Sequence, residues 1–511
     1  MNPLSIKEYF CLEAPTEELS VSDHRRLLLA LEQRGYENVT VPLPVLQQLY
    51  PLCRTGGFTA TLVHRQQDWI LTAIDTGDTR HTQYGLAVDY GSTTILMQLI
   101  DLTSGAVIGE ETAVNGQVAY GTDILSRITW ALEDPAHADA LQAATVQTFE
   151  QLLAQLTEST GFDAASCPIM VISGNTTMIH FLLKLNAWTV FASPYAPVVT
   201  DPGFFWGREL GMDFGGLVYI IPSASNYIGG DIISGLLTLD IHRSHKTCLF
   251  FDIGTNGELV IGNKDWMMAG AGAAGPALEG YISRFGMRAA PGAIDRVAID
   301  GADLRFTVLG GQKPVGICGS GIIDLIAQMR LNGWINIAGQ LNPEASPRIR
   351  YIADQQEYAA VYATEEESAT GEILYFSQTD LNQYLDTKAA AYTMIECLLE
   401  SAGTDAADLD ICYLSGAFSA HSDLEAAITV GIFPDLPREK FVCIANTSLA
   451  GARTLLLDHD RLREAKMLSD NLYCVQFASV PDFLIRMQAA KFIPHTDMSR
   501  YPSITEKLRN C

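Results

Sequence analysis

The feature that most constrains the fold is a repeat. An apolar strand ending in aspartate, a glycine turn and a second strand occur at 86–89, Gly91-Ser92-Thr93-Thr94 and 95–101. The same order recurs at 247–252, Gly254-Thr255-Asn256-Gly257 and 258–262. A third strand follows each time, at 106–112 after Thr103-Ser104-Gly105, and from Trp266 after Asn263-Lys264-Asp265. Asp89 and Asp252 hold matching places, 163 residues apart. Duplication at this spacing predicts two related α/β lobes around a cleft.

The rest of the chain arranges itself around these copies. Residues 1–84 read as a small α/β unit, with a helix over 22–35 through Leu27, Leu28 and Leu31, a strand-like piece at 39–41, a short helix over 42–49, and strands at 58–63 and 69–74. Residues 77–83 read as a linker. The first lobe runs over 85–245, with helices predicted at 123–132 and 138–157 and a buried strand at 168–173. The second lobe and a C-terminal tail take 246–511, with helices near 321–329 and 379–401 and a strand at 411–414. The more polar stretch 345–375 is an insertion or a hairpin.

Each repeated turn suits an anion. A carboxylate ends the strand, a glycine turns the chain, and the following amides and the hydroxyls of Ser92, Thr93 and Thr94 can face a phosphate. An ordinary hairpin uses the same residues, but two copies, one per lobe, can clasp a triphosphate from both sides. Asp89 and Asp252 can each hold a hydrated Mg²⁺, which keeps its waters and takes few carboxylates. Leu414-Ser415-Gly416-Ala417-Phe418 is either a strand-to-helix turn or a surface on which adenosine lies. Gly316-Ile317-Cys318-Gly319-Ser320-Gly321 offers the amides of Gly319 and Ser320 at a helix start, with Cys318 as a small structural residue.

Composition excludes several classes. Lys and Arg number 33 and Asp and Glu 59, so the formal charge is −26, against the clustered cations that a nucleic-acid surface needs. No uncharged apolar run is long enough for a membrane span, and residues 1–20 carry Lys7, Glu8, Glu13, Glu17 and Glu18 rather than the apolar core of a signal. The ten cysteines are scattered, with no C-x-x-C, which reads as reduced, mostly buried thiols in a cytoplasm.

The two Asp-x-Gly hairpins and the Gly-Ala-Phe turn resemble the ATP-binding superfamily of acetate and sugar kinases, heat-shock ATPases and actin. Within it the chain resembles the reductive activators of corrinoid enzymes. The resemblance rests on Tyr84-Gly85-Leu86-Ala87-Val88-Asp89, the run from Tyr120 to Ile128, Ser173-Gly174-Asn175-Thr176 and the run from Ala273 to Gly280. It continues through Gly286-Met287-Arg288-Ala289 and the run from Gly316 to Asp324, and on to the tail at Pro481-Asp482-Phe483 and Phe492-Ile493-Pro494.

The resemblance implies two actin-like ATPase lobes. It implies that ATP drives a one-electron reduction of cob(II)alamin to cob(I)alamin on a corrinoid protein of a methyltransferase system. It implies phosphate and Mg²⁺ contacts from Asp89, Gly91, Ser92, Thr93 and Thr94, and from Asp252, Gly254, Thr255 and Asn256. Gly416, Ala417, Phe418 and Asn446 would meet adenosine, with Ser419 and Ala445 standing where the family usually has glycine. The family usually carries an N-terminal [2Fe–2S] domain. This chain has only Cys11 and Cys53 before its body, so no iron–sulfur cluster is expected in it, and a separate iron–sulfur protein or flavoprotein is expected to supply the electron. A homodimer is open to it. A small-molecule kinase, or a nucleotide-driven switch or scaffold, is the rival reading.

For hydrolysis, Asp231 in Gly229-Gly230-Asp231 is the candidate that orients water, or else it is a helix N-cap. Asn175 assists at the cleft or caps a helix. Asp123 and Arg127 are spaced for a helical ion pair. His180 reads as a core histidine, and Glu258 either meets metal through water or sits in its hairpin.

Overall fold

Each glycine hairpin lies at the centre of its own six-stranded sheet. The computed structural model describes residues 2–18, 20–254, 256–272, 282–416 and 423–510. They form two units, Met1–Asp240 with Thr447–Leu472, and Ile241–Asn446 with Tyr473–Cys511.

In the first unit the sheet order is Val107–Val114, Thr94–Asp101, Tyr84–Tyr90, Ile169–Gly174, Leu217–Ile220 and Gly203–Trp206. Tyr84–Tyr90 pairs antiparallel with the hairpin strand and parallel with Ile169–Gly174. Central strands of such a sheet are covered on both faces and read as unbroken apolar runs, as IMVISG does, buried at every position. The helix Pro135–Thr160 supplies much of the cover through Leu141, Phe149, Leu152 and Leu156.

The N-terminal part of this unit has its own sheet, Ser5–Cys11, Gly57–Arg65, Asp68–Thr76 and Val39–Thr40, and its own core around Leu27, Leu31, Phe58 and Leu71. The strand Ser5–Cys11 is not foreseen from sequence, because two of its inward positions are Ser5 and Lys7. The ammonium of Lys7 donates to the hydroxyls of Thr79 and Thr82, both at 3.4 Å, so the expected linker is fastened to the sheet.

In the second unit the order is Phe441–Cys443, Ile411–Ser415, Cys248–Ile253, Gly257–Gly262, Met267–Gly272 and Tyr473–Val475. Taken from Met267–Gly272 back to Phe441–Cys443, five of its strands match the first sheet: three antiparallel strands carrying the hairpin, then two parallel ones. A smaller sheet of Asp303–Val308, Ala293–Asp300 and Gly316–Ile317 supports the helix Gly319–Leu331. The polar stretch is a three-stranded antiparallel sheet, Ile349–Ile352, Glu357–Ala363 and Leu374–Ser377. Lys388 is fully buried on the helix Gln378–Ser401 and donates to the carbonyls of Ala490 (2.5 Å), Phe492 (2.7 Å) and Pro494. Burial holds the Lys388 amine well below the usual lysine pKa, and so deeply buried a polar group is tolerable only with such partners, so the tail run from Phe492 to Pro494 closes this core.

One excursion is absent from the sequence reading of 246–511 as a continuous lobe. Thr447–Leu472 belongs to the first unit. Its helix Thr447–Leu457 crosses the helix Gly230–Leu239 where a methyl on Gly451 would lie 2.4 Å from the Ser234 carbonyl, so the crossing needs glycine. The amide of Leu4 donates to Leu456 at 2.8 Å, tying the N-terminal sheet to the same helix.

Candidate functional site

In the first unit Asp89 is one residue from the end of its strand, opposite Leu96 on one side and Ser173 on the other. It is half-buried and accepts a hydrogen bond from the hydroxyl of Ser448 at 2.7 Å. Ser173 Oγ lies 2.8 Å from both Ser448 Oγ and Ser234 Oγ. A chain of three hydroxyls from three other segments thus ends on one carboxylate. Ser173, Ser234 and Ser448 were not singled out in the sequence. Ser173 sits inside a quoted motif, but Ser448 is 359 residues from Asp89 and no local pattern announces it.

Gly174 lies beside Tyr90, and a methyl there would be 2.9 Å from the Tyr90 carbonyl. Asn175 Oδ1 accepts from the amide of Met178 at 3.0 Å, so Asn175 is the N-cap of the helix Thr176–Leu182. A methyl on Gly229 would lie 2.6 Å from the Cα of Asn175, which brings the start of the helix Gly230–Leu239 against this turn. Gly229 is the N-cap, and Asp231 stands in the first turn. Burial pushes the Asp231 carboxyl up to about 6; the amide of Ile232 pulls the other way, and the charge of Asp89 raises it further. Two carboxylates near enough to resist joint ionisation favour a hard cation or a shared proton.

Gly91, Ser92, Thr93 and Thr94 form the hairpin tip, with Ser92 buried and Thr94 exposed. The Asn115 side-chain amide donates to the Gly91 carbonyl at 2.9 Å. The expected Asp123–Arg127 pair is replaced: Asp123 caps its own helix by accepting from Ser126 at 2.9 Å, and Arg127 turns to the carbonyl of Ser92 at 2.7 Å. His180 is a satisfied core residue, with Nδ1 2.7 Å from the Thr176 carbonyl and Nε2 accepting from Val198 at 3.0 Å.

In the second unit Asp252 is opposite Glu258 and beside Ser415. Like charges directly opposite on a sheet repel, an arrangement that a cation relieves. Gly416 has φ +89°, and a methyl on it would lie 2.2 Å from the Ile253 carbonyl and 2.8 Å from Asp252 Oδ1. The turn after Ile411–Ser415 therefore presses on the hairpin strand, as Gly174 does in the first unit. The Gly254 amide donates to the Asn256 carbonyl at 3.0 Å. Thr255, Ala417, Phe418 and the run 273–280 lie outside the described residues, and Asn446 is half-buried just before the helix Thr447–Leu457.

Gly319 and Ser320 are buried in the first turn of their helix, and Ser320 Oγ lies 3.2 Å from Cys318 Sγ. A methyl on Gly321 would lie 2.4 Å from the Ile294 carbonyl, so this glycine serves close packing of helix on strand. Burial pushes the thiols of Cys167 and Cys412 up to about 12, so neither is a nucleophile near neutral pH. Among the described residues no helix is long and apolar enough to cross a membrane.

Three family profiles cover nearly the whole chain in order: the RACo linker region at 1–81, the RACo middle region at 84–244, and the C-terminal domain of RACo, the ASKHA domain, at 246–505. The chain is 30% identical to the corrinoid activation enzyme RamQ of Eubacterium limosum, over 81% of this chain and 71% of that protein. It is 26% identical to the [Co(II) methylated amine-specific corrinoid protein] reductase of Methanosarcina barkeri, over 76% of this chain and 74% of that one. A solved structure, the reductive activator for corrinoid, iron-sulfur protein, superposes with a TM-score of 0.89 at 34% identity, over 98% of this chain and 81% of that one. The duplicated α/β sheets, the ASKHA match and this run of relatives agree: the chain belongs to the RACo family of reductive activators of corrinoid proteins.

Proposed function

We propose that the chain binds ATP with Mg²⁺, hydrolyses it, and uses the cycle to promote transfer of one electron to cob(II)alamin on a corrinoid protein of a methyltransferase system, giving cob(I)alamin. The electron comes from a separate iron–sulfur protein or flavoprotein, and the setting is the cytoplasm. The observation that carries the reading is the repeated Asp-and-glycine hairpin, each braced by a Ser-Gly turn on the neighbouring parallel strand. The relatives' names, a corrinoid activation enzyme and a corrinoid protein reductase, supply the class of partner.

In this reading Asp89 and Asp252 can each hold hydrated Mg²⁺, which when bound would neutralise charge on phosphate oxygens. The two hairpin tips, 91–94 and 254–256, hold the phosphates, and Gly416, Ala417, Phe418 and Asn446 hold adenosine. Gly319 and Ser320 contribute through the start of their helix. Asp231, with its carboxyl titrating near 6, orients the attacking water and takes its proton. Asn175 caps the helix whose turn Gly229, two residues before Asp231, lies against. The test is ATP hydrolysis with and without a purified corrinoid protein. Stimulation by that protein is expected; indifference to every corrinoid protein, with phosphate delivered to a metabolite, would replace the reading with a kinase.

A further inference from the structure

The carbonyls of Gly91, Ser92 and Thr93 in the first hairpin tip are drawn back into the first unit. That of Gly91 accepts from Asn115 Nδ2 at 2.9 Å, that of Ser92 from Arg127 Nη1 at 2.7 Å, and that of Thr93 from the Asn115 amide at 2.9 Å. In a trans peptide the N–H points opposite to the C=O. The amides of Ser92 and Thr93 therefore face away from Asn115 and Arg127, the sense that an anion on the tip requires.

Arg127 is the unusual member. It is fully buried. Its Nε donates to the Gly121 carbonyl at 2.8 Å, and its Nη1 also reaches Gln117 Oε1 at 3.4 Å. The Gln117 side-chain amide is spent on Leu141, Thr145 and Tyr90, which leaves Oε1 for the guanidinium. Among the described residues Nη2 has no hydrogen-bond partner, and no carboxylate forms an ion pair with the group. A buried guanidinium bonded to neutral oxygens and the Met178 sulfur, with the Asp123 charge acting on it only through space, is costly to keep. That cost falls when a negative charge settles on the loop that the group supports.

We propose that Arg127 is a positioning residue for polyphosphate: it fixes the tip through the Ser92 carbonyl and places a positive charge without a directly paired carboxylate behind it, favouring a triphosphate over an uncharged nucleoside. The proposal rests on the reading of 91–94 as a phosphate contact. It explains why Arg127 stands in the run Tyr120–Ile128, to which the site otherwise gives no task.

Calorimetry with ATP, tripolyphosphate and adenosine, at low and high salt, tests it on the full chain. Arg127→Gln should weaken ATP and tripolyphosphate about tenfold or more, leave adenosine unchanged and flatten the salt dependence. Arg127→Lys, which keeps the charge and loses the fork, should restore most of the ATP affinity and the wild-type salt slope. Unchanged ATP affinity in Arg127→Gln, or an equal loss for adenosine, would overturn the proposal. If Arg127→Gln does not fold, a flattened salt slope in Arg127→Lys would overturn it as well. A wild-type chain that binds neither ATP nor tripolyphosphate would remove the underlying phosphate reading, and this inference with it.

Discussion

The two hairpins are copies in backbone and differ in what supports them. Both carry an aspartate one residue from the end of a strand, both lie beside a serine on the parallel neighbour, and both have a glycine pressed on the carbonyl after the aspartate. Asp89 faces Leu96 across the sheet, whereas Asp252 faces Glu258. Arg127, buried in the first unit, braces the hairpin tip, whereas Lys388, buried in the second, closes the C-terminal tail. Duplication thus preserved the geometry that presents a carboxylate beside a turn, while the charges around each copy diverged. The first copy gathers positive charge behind its loop, and the second gathers a second carboxylate beside its aspartate.

Replacing the paired glycines tests how alike the copies are. Gly416→Ala combines a left-handed φ with a 2.2 Å clash and should cost about 2–5 kcal/mol of stability. Gly174→Ala meets the Tyr90 carbonyl at 2.9 Å without a positive φ and should cost about 1–3 kcal/mol. Denaturant melts of the two variants read the difference. Equal losses would mean that the turns are mechanically equivalent despite the backbone difference.

A smaller effect separates charge from geometry. The Asp231 carboxyl keeps its proton to about pH 6 in the fold, but in the unfolded chain loses it near 4. The native state therefore holds more protons between those values, and this group's contribution to stability falls as pH rises from about 4 to about 6. Asp231→Asn should remove that decline and raise stability at pH 7 by up to about 2 kcal/mol, while ATP turnover drops and loses its acid limb near pH 6. Thermal melts against pH check the first expectation. A variant with wild-type turnover would remove Asp231 from the chemistry.

Much of the fold was legible because its signals are local. Aspartate, glycine and hydroxyl residues mark each hairpin within a few positions, and the helices Ile124–Glu133 and Pro135–Thr160 keep their apolar period. What escaped was set by distance or by inverted polarity. The strand Ser5–Cys11 buries a lysine, so its alternation does not read as a core face. Ser448 reaches Asp89 only because Thr447–Leu472 joins the first unit. Arg127 lies in a recognised run, but its spacing from Asp123 reads as a helical ion pair, and only the fold reveals its contact with Ser92. Asn175 showed the opposite ambiguity, since a capping residue and a site residue carry the same sequence mark.

The central claim, that nucleotide turnover in this chain drives reduction of a corrinoid, is tested most directly by following cobalt itself. A purified corrinoid protein in its cob(II) state, a reductant and the chain are mixed, and the absorbance of cob(I)alamin is recorded with ATP, with ADP and with the Asp252→Ala variant. Cob(I) formation that needs ATP and the wild-type chain, and that falls to background with ADP or with Asp252→Ala, is the predicted result. Formation at the same rate in all three mixtures would contradict the account.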